Sequence, residues 1–266
     1  MKILLALAAT AAMLTGSIAV SQPANTAKPT ILLVHGAFAD SSSWNGVIAI
    51  LEKDGYTVRA VANPLRSVKS DAQYLADIVK ATAGPVVLVG HSYGGVVITN
   101  AAESGGDVRA LVYVNAFIPD VGENVFTILG GSGSALDVPD PTSVLDVGGY
   151  PGSPEGDVEA FLKPSTVHDS FAQDLSAADR SLIAASQRPI ALSANIAPTE
   201  AAAWKSIPSW AVIGTDDRVI PPDTQRSMAE RAGSTITEVA ASHVSMVSQP
   251  QATIDAILAA AASIDE

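Results

Sequence analysis

The chain reads as an α/β fold, a mainly parallel sheet with helices on both faces and a small helical cap. Three observations predict it. Short apolar runs alternate with stretches of helical spacing along most of the chain, and a serine bracketed by glycines stands at a strand-to-helix junction within that alternation. The rhythm fails once, between Phe117 and Pro208, over a length too great for a structureless connection.

Taken in order, strands are expected at residues 31–34, 57–62 (after a break at Gly55), 86–90, 110–114, 210–214 and 235–239. All but the second are short apolar or β-branched runs, which reads as burial on both faces. Helical spacing fills the intervals at residues 44–52, 71–83, 93–103, 222–232 and 249–262. Asp40, followed by three serines and Trp44, reads as a helix cap. Parallel sheets of this kind place their sites at the carboxyl ends of the strands. Residues 130–154 are rich in Gly, Ser, Asp and Pro and read as loop; residues 155–185 are helical in pattern, so the segment of about 117–208 is expected to cap the site.

Residues 1–21 have the layout of a secretory signal peptide: Lys2, an apolar stretch to Val20 relieved only by Thr10, Thr15, Gly16 and Ser17, and small residues at Ala19 and Ser21 for cleavage. An uncleaved anchor is the alternative, for which the apolar length is marginal. Residues 22–28 follow as a flexible leader and 29–266 as one folded domain, exported to the periplasm or medium without stable membrane association after cleavage. With no cysteine, a lipid-modified amino terminus is excluded, and so are disulfides. The roughly 245 remaining residues are enough to build a packed core. Loss of Lys2 with the signal takes the net charge from −12 to −13, which argues against nucleic acid or an anionic membrane as partner.

The motif that carries chemistry is Gly90-His91-Ser92-Tyr93-Gly94-Gly95, directly after the apolar run Val86-Val87-Leu88-Val89. A G-x-S-x-G at such a junction is a nucleophile elbow: the serine takes a strained conformation that only small neighbours tolerate, and the next helix aims its amino terminus at the reacting centre. A serine hydroxyl needs a base, and the base a carboxylate to orient it. Of four histidines, His35 follows the first strand, His91 sits in the elbow, His168 lies in the cap and His243 follows the last strand. Chain order serine, acid, histidine selects His243. The acid belongs after the run 210–214, where Asp216 and Asp217 are adjacent; Asp217, three residues past Gly214 and ahead of Val219 to Pro221, is chosen, with Asp216 as a turn residue and the alternative acid. An oxyanion hole takes two backbone N–H groups, each worth about 3 kcal/mol. Tyr93 supplies one, and the loop His35-Gly36-Ala37-Phe38 the other, from Ala37 or alternatively Phe38. Phe38 and Phe117 are candidate substrate contacts.

The segments Leu33 to Ala37, Gly90 to Gly95, Gly214 to Pro221 and His243 together resemble the α/β-hydrolase superfamily over nearly the whole expected domain. The His-Gly-Ala loop, Tyr113 to Asp120 and the short cap are similar to the branch of plant methylesterases and hydroxynitrile lyases. That resemblance implies a cofactor-free serine esterase or a relative. The lyases carry a threonine where Gly36 stands and a lysine directly after the catalytic histidine; here that next residue is Val244, which favours ester cleavage over cyanohydrin cleavage.

The expected reaction is therefore hydrolysis of small-molecule carboxylic esters, apolar or aryl and of small to medium size, through an acyl-enzyme. A C–C bond hydrolase, lactonase or perhydrolase on the same residues is the alternative, and a non-catalytic binding protein the less favoured one. No metal is expected, since the histidines are scattered and cysteine is absent, and no nicotinamide or flavin, since no Gly-x-Gly-x-x-Gly follows the first strand. In the cap, Phe161, Phe171, Trp204 and Trp210, with Ile128 and Leu129, are either pocket or core, core being the commoner use. His168-Asp169 reads as a solvated helix cap rather than a substrate contact.

Overall fold

The computed structural model describes residues 28–264. The expected signal peptide, and the leader apart from Lys28, lie outside the described residues. Among the described residues nine strands occur in order: β1 Thr30–Val34, β2 Val58–Val61, β3 Val86–His91, β4 Val108–Val114, β5 Leu145–Gly148, β6 Glu159–Leu162, β7 Ile190–Ala191, β8 Ser209–Gly214 and β9 Thr235–Val239. Six of them form one sheet in the order β2-β1-β3-β4-β8-β9, with every neighbouring pair parallel. Ile31 to Val34 and Val86 to Val89 are wholly buried, as runs covered on both faces must be.

Helices α1 Asn45–Lys53, α2 Val68–Ala81 and α3 Tyr93–Ala101 connect the first four strands in turn. Strand order reverses between β1 and β3: the chain steps one way from β1 to β2 and the other way from β3 to β4. Right-handed crossovers then put α1 on one face and α3 on the other, and open a crevice at the carboxyl ends of β1 and β3. α1 packs with the last helix, Pro250–Ala262, and α2 packs with α3. Every residue of α3 is buried, so its sequence is apolar or small all round instead of striped.

Local chemistry moves some boundaries from those expected. α2 begins at Val68, three residues early, because Ser67 accepts the Ser70 N–H at 3.0 Å and caps it. α1 is preceded by a 3-10 turn, Ser41–Trp44, capped by the Asp40 carboxylate as its sequence suggests. β9 is not buried on both faces. It is the outer strand, paired to β8 alone, and exposes Thr235, Thr237 and Glu238.

The segment between β4 and β8 corrects the helical reading of residues 155–185. Its first part is strand: β6 lies between β5 and β7 in a three-stranded antiparallel sheet. Glu159-Ala160-Phe161-Leu162 alternates half-buried and buried positions, and Arg66 pairs with Glu159 at 2.8 Å. Alanine and leucine suggest helix in isolation, but cross-strand pairing decides. Helical structure follows, as a π-helical turn at Val167–Phe171 and a helix at Ala177–Ser186. Helix α4, Val125–Leu129, and a short helix, Leu192–Ile196, complete the segment.

Leu88→Ala, at the centre of the sheet, is expected to lower the unfolding free energy by about 2–5 kcal/mol, while Thr237→Ala on the exposed edge changes it by less than about 0.5 kcal/mol. Urea midpoints at unchanged slope measure both; equal effects at the two positions contradict this account of the core.

Candidate active site

The elbow forms where β3 meets α3. Ser92 sits at φ 53° and ψ −121°, a left-handed conformation that costs a non-glycine residue about 1–3 kcal/mol. Backbone contacts hold it there. Its N–H donates to Val114 O at 3.3 Å, and its carbonyl accepts from the N–H groups of Gly95 at 2.9 Å and Phe117 at 3.3 Å. A Cβ on Gly90 would lie 2.6 Å from Gly94 O, and one on Gly94 would strike Val34 O, so both flanks require glycine. Tyr93 begins α3, where the helix leaves the N–H without an intrahelical acceptor. Its hydroxyl donates to Asp71 at 3.0 Å, which pins the helix start to α2.

Asp217 and His243 lie at the ends of β8 and β9, and the structure brings them together. His243 Nδ1 is 2.8 Å from Asp217 Oδ2, with both side chains inaccessible to solvent. Asp217 also receives the N–H groups of Val219 at 2.8 Å and Ile220 at 2.9 Å, Asn115 Nδ2 at 3.0 Å and Gln225 Nε2 at 2.8 Å. Five donors thus surround one buried carboxylate, the condition under which a charge persists in the interior. Asp216 is exposed and serves the turn: its N–H donates to Ala241 O, and its carbonyl accepts from Gln173. The other histidine nitrogen, His243 Nε2, is buried and has no hydrogen-bond partner.

Sequence reasoning missed Asn115 and Gln225. Asn115 had a signal, since it follows β4 as the other site residues follow their strands. It adopts φ 45°, donates to Asp217 and to Ser242 O at 3.2 Å, and accepts from the Ser245 hydroxyl. Gln225 lies on the helix Pro222–Arg231, eight residues beyond the acid, and no pattern in the sequence marks it.

The loop after β1 closes the other side. A Cβ on Gly36 would lie 2.6 Å from Ser92 Cβ and 2.8 Å from His91 O, so glycine is what lets this loop touch the elbow. Phe38 has φ 62° and donates its N–H to Arg188 O at 3.1 Å, which engages the amide that was the alternative second donor. His35 bridges its own loop to the segment after β2: its ring meets Gly36 O at 2.9 Å through Nδ1 and the Asn63 N–H at 3.1 Å through Nε2. Burial lowers its pKa to about 4, so at neutral pH Nδ1 donates and Nε2 accepts. His91 sits 2.9 Å from His243 O through Nε2 and packs against Trp44, Phe171 and His243. Burial, then repulsion by His243, holds it well below the usual histidine range.

Ser92 and His243 border one cavity of about 280 Å³, together with Ala37, Phe38, Tyr93 and Phe117. Its remaining walls include Leu129, Leu136, Leu145 and Val219. Of the six apolar cap residues that sequence left between pocket and core, Leu129 alone borders it. Phe171 is buried against His91 and His243, and Trp204 donates Nε1 to Pro119 O at 2.8 Å. His168 and Asp169 lie in the π-helical turn and bond through their carbonyls to Arg180 and Arg218, away from the cavity. Among the described residues, no three His, Cys, Asp or Glu side chains are grouped to hold a metal ion. The arrangement can take a proton from a hydroxyl at Ser92 onto His243, with the positive charge that forms stabilised by Asp217.

Residues 31–256 match the model of a family described as the Alpha/beta hydrolase family. The chain is 36% identical over 124 residues to a protein named Probable hydrolase R7 from a Phoma species; that match covers 41% of this chain and about half, 51%, of the relative. It is 26% identical over 255 residues to Methylesterase 2 of Arabidopsis thaliana, covering 88% of this chain and 96% of that one, in keeping with the methylesterase-like segments of the sequence. The crystal structure of polyneuridine aldehyde esterase superposes with a TM-score of 0.73 at 22% identity, over 88% of this chain and 99% of the other, and shares the fold.

The neutral histidines carry a consequence for pH. Above pH 6.5 His35 is uncharged in both folded and unfolded chains; below it the unfolded chain binds a proton that the folded site refuses until about pH 4. Stability contributed by the neutral ring is therefore present at pH 7.5 and lost as pH falls through this window, by about 3 kcal/mol at its foot. His91 acts in the same direction, and Asp71, whose carboxyl burial raises, acts in the opposite one. Urea midpoints at pH 7.5 and pH 4 should show a smaller acid loss for His35→Gln than for wild type; identical losses would show that His35 is not the group responsible.

Proposed function

The chain belongs to the alpha/beta hydrolase family, and from that premise we propose that it is a serine hydrolase cleaving carboxylic esters of small to medium, apolar or aryl molecules. The observation that carries the reading is the buried Asp217–His243 pair, in which Nε2 has no hydrogen-bond partner and His243 borders the same cavity as the strained Ser92. His243 Nε2 takes the Ser92 proton as the hydroxyl oxygen attacks the ester carbonyl carbon. The tetrahedral oxyanion is received by the N–H groups of Ala37 and Tyr93. Collapse expels the alcohol, which leaves with the proton held by His243, and an acyl group remains on Ser92. Water then attacks this acyl-enzyme through the same base, and the acid departs.

Asp217 accepts from Nδ1–H and so fixes the imidazole, leaving Nε2 to present its lone pair to the serine. Phe38 and Phe117, at the cavity wall, are the first apolar contacts of the substrate. The relative named Methylesterase 2 supports an ester as the substrate class. Val244, buried and apolar directly after His243, offers no cation for a cyanide leaving group. The space at Gly36 is likewise closed to a threonine by Ser92 and His91, and both features favour ester cleavage over the lyase reaction. Export, which rests on the layout of residues 1–21 alone, places the reaction outside the cytoplasm; a secreted form beginning after Ala19 or Ser21 by mass spectrometry supports it, and retention of Lys2 in the cell fraction opposes it.

Hydrolysis of p-nitrophenyl esters from acetate to octanoate is expected from the wild type and is expected to fall by about 10⁵-fold or more in kcat for Ser92→Ala. A serine-reactive phosphonate should label Ser92 in the wild type. Activity that survives the substitution rejects Ser92 as nucleophile, and absence of both hydrolysis and labelling moves the binding-protein reading to the front.

A further inference from the structure

The cavity of about 280 Å³ is small for an ester with two sizeable groups. At roughly 30 Å³ per heavy atom, the share of a water molecule in the liquid, it holds on the order of ten non-hydrogen atoms. Its walls are mostly carbon. Among the described residues no lysine or arginine borders it, and the one carboxylate that does is Asp137, exposed and held by the Gly131 N–H at 2.8 Å. A carboxylate on a ligand would meet no cationic partner here, would face Asp137, and would approach a chain of net charge −12.

The apolar wall continues past the opening. Phe126 and Ile196 border the cavity yet are 69% and 61% exposed, so each has one edge inside and most of its surface outside. They stand on α4 and on the helix Leu192–Ile196, which pack against each other, and so form one rim. Exposed large apolar side chains cost nothing when scattered, but two at the mouth of an apolar cavity make a continuous surface leading out from the reacting serine.

Resting on Ser92 as the nucleophile, we propose that the substrate is an uncharged ester with two apolar limbs, one filling the cavity and the other lying outside it across Phe126 and Ile196, and that carboxylate-bearing esters are turned away. The outer limb covers apolar surface on both partners, which adds affinity without enlarging the cavity. An anionic limb gains neither. Specificity is then set by these two exposed side chains and Asp137 rather than by the cavity volume alone.

Ketones with CH₂ in place of the bridging ester oxygen test this by calorimetry on the Ser92→Ala protein. 4-Nonanone matches the cavity, 1-phenyldecan-5-one overruns it, and 6-oxo-10-phenyldecanoate adds a carboxylate to the second. The aryl ketone is expected to bind at least about tenfold tighter than 4-nonanone and the carboxylate about 100-fold weaker than the aryl ketone. In Phe126→Ser/Ile196→Ser the advantage of the aryl ketone over 4-nonanone is expected to vanish. An advantage that survives both substitutions, or a carboxylate that binds as well as the neutral ketone, overturns the proposal. Wild-type hydrolysis of the matching esters, ethyl hexanoate and 3-phenylpropyl hexanoate, separates the two readings. The expected binding order without hydrolysis of either ester defeats the esterase reading and leaves only the recognition of two apolar limbs, whereas hydrolysis of both without that order defeats the two-limb proposal and leaves the esterase reading intact.

Discussion

Backbone meeting backbone at the carboxyl edge of the sheet is the constraint on which this molecule depends. α3 reaches β1 so closely that Gly94 lies against the Val34 carbonyl, and Gly95 lies as closely against Phe117 O. Gly36 completes the contact from the other loop by resting on Ser92 and His91. At each of these places the space a Cβ would need is taken by backbone atoms, and at Gly36 by the Ser92 Cβ as well, none of which can swing away like the end of a flexible side chain. The strained φ of Ser92 survives because the peptides on either side of it are fixed by hydrogen bonds to β4 and to the segment after it. Without those contacts the serine would relax, and the amino terminus of α3 would no longer point at its hydroxyl.

A second layer of constraint is electrostatic. The Asp217 carboxyl is buried, which is tolerable only because donors from four parts of the chain converge on it: its own turn, Asn115 after β4, Gln225 on the following helix and His243 after β9. The carboxylate therefore ties together segments that the sheet alone leaves independent. His35 and His91, both kept neutral by burial, have a related role on the other side of Ser92, where they bond backbone groups rather than charges.

Much of this was legible in the chain. Short unbroken apolar runs mark β1, β3 and the second half of β4 because burial on both faces leaves no polar alternation to confuse the pattern. The strained turn at Ser92 and the contact of Asp217 with His243 were legible because the expected serine chemistry restricts residue type, order along the chain and position after a strand all at once. β9 misled because its residues suit a strand of any kind, and its place at the edge is set by strand order, which no local pattern encodes. β6 misled because Glu-Ala-Phe-Leu suits a helix until β5 and β7 flank it. Asn115 and Gln225 acquire their roles from contacts across 102 and 8 residues of sequence, and an amide carries no mark of the carboxylate it will meet.

The second sheet, β5-β6-β7, lies between strands that are neighbours in the main sheet: the chain leaves at the end of β4 and returns at β8, which pairs directly with β4. Because β4 and β8 pair in parallel, the excursion leaves at the carboxyl edge of the sheet and re-enters at its amino edge, and that pairing fixes both ends. Lengthening or shortening it alters loop-closure entropy only logarithmically and leaves the register of the six parallel strands untouched. Ser92, Asp217 and His243 lie outside this excursion, but Asn115 and Phe117 at its start hold Asp217 and Ser92, so an engineer grafting a different lid can rewrite only the stretch beyond them without disturbing the candidate site.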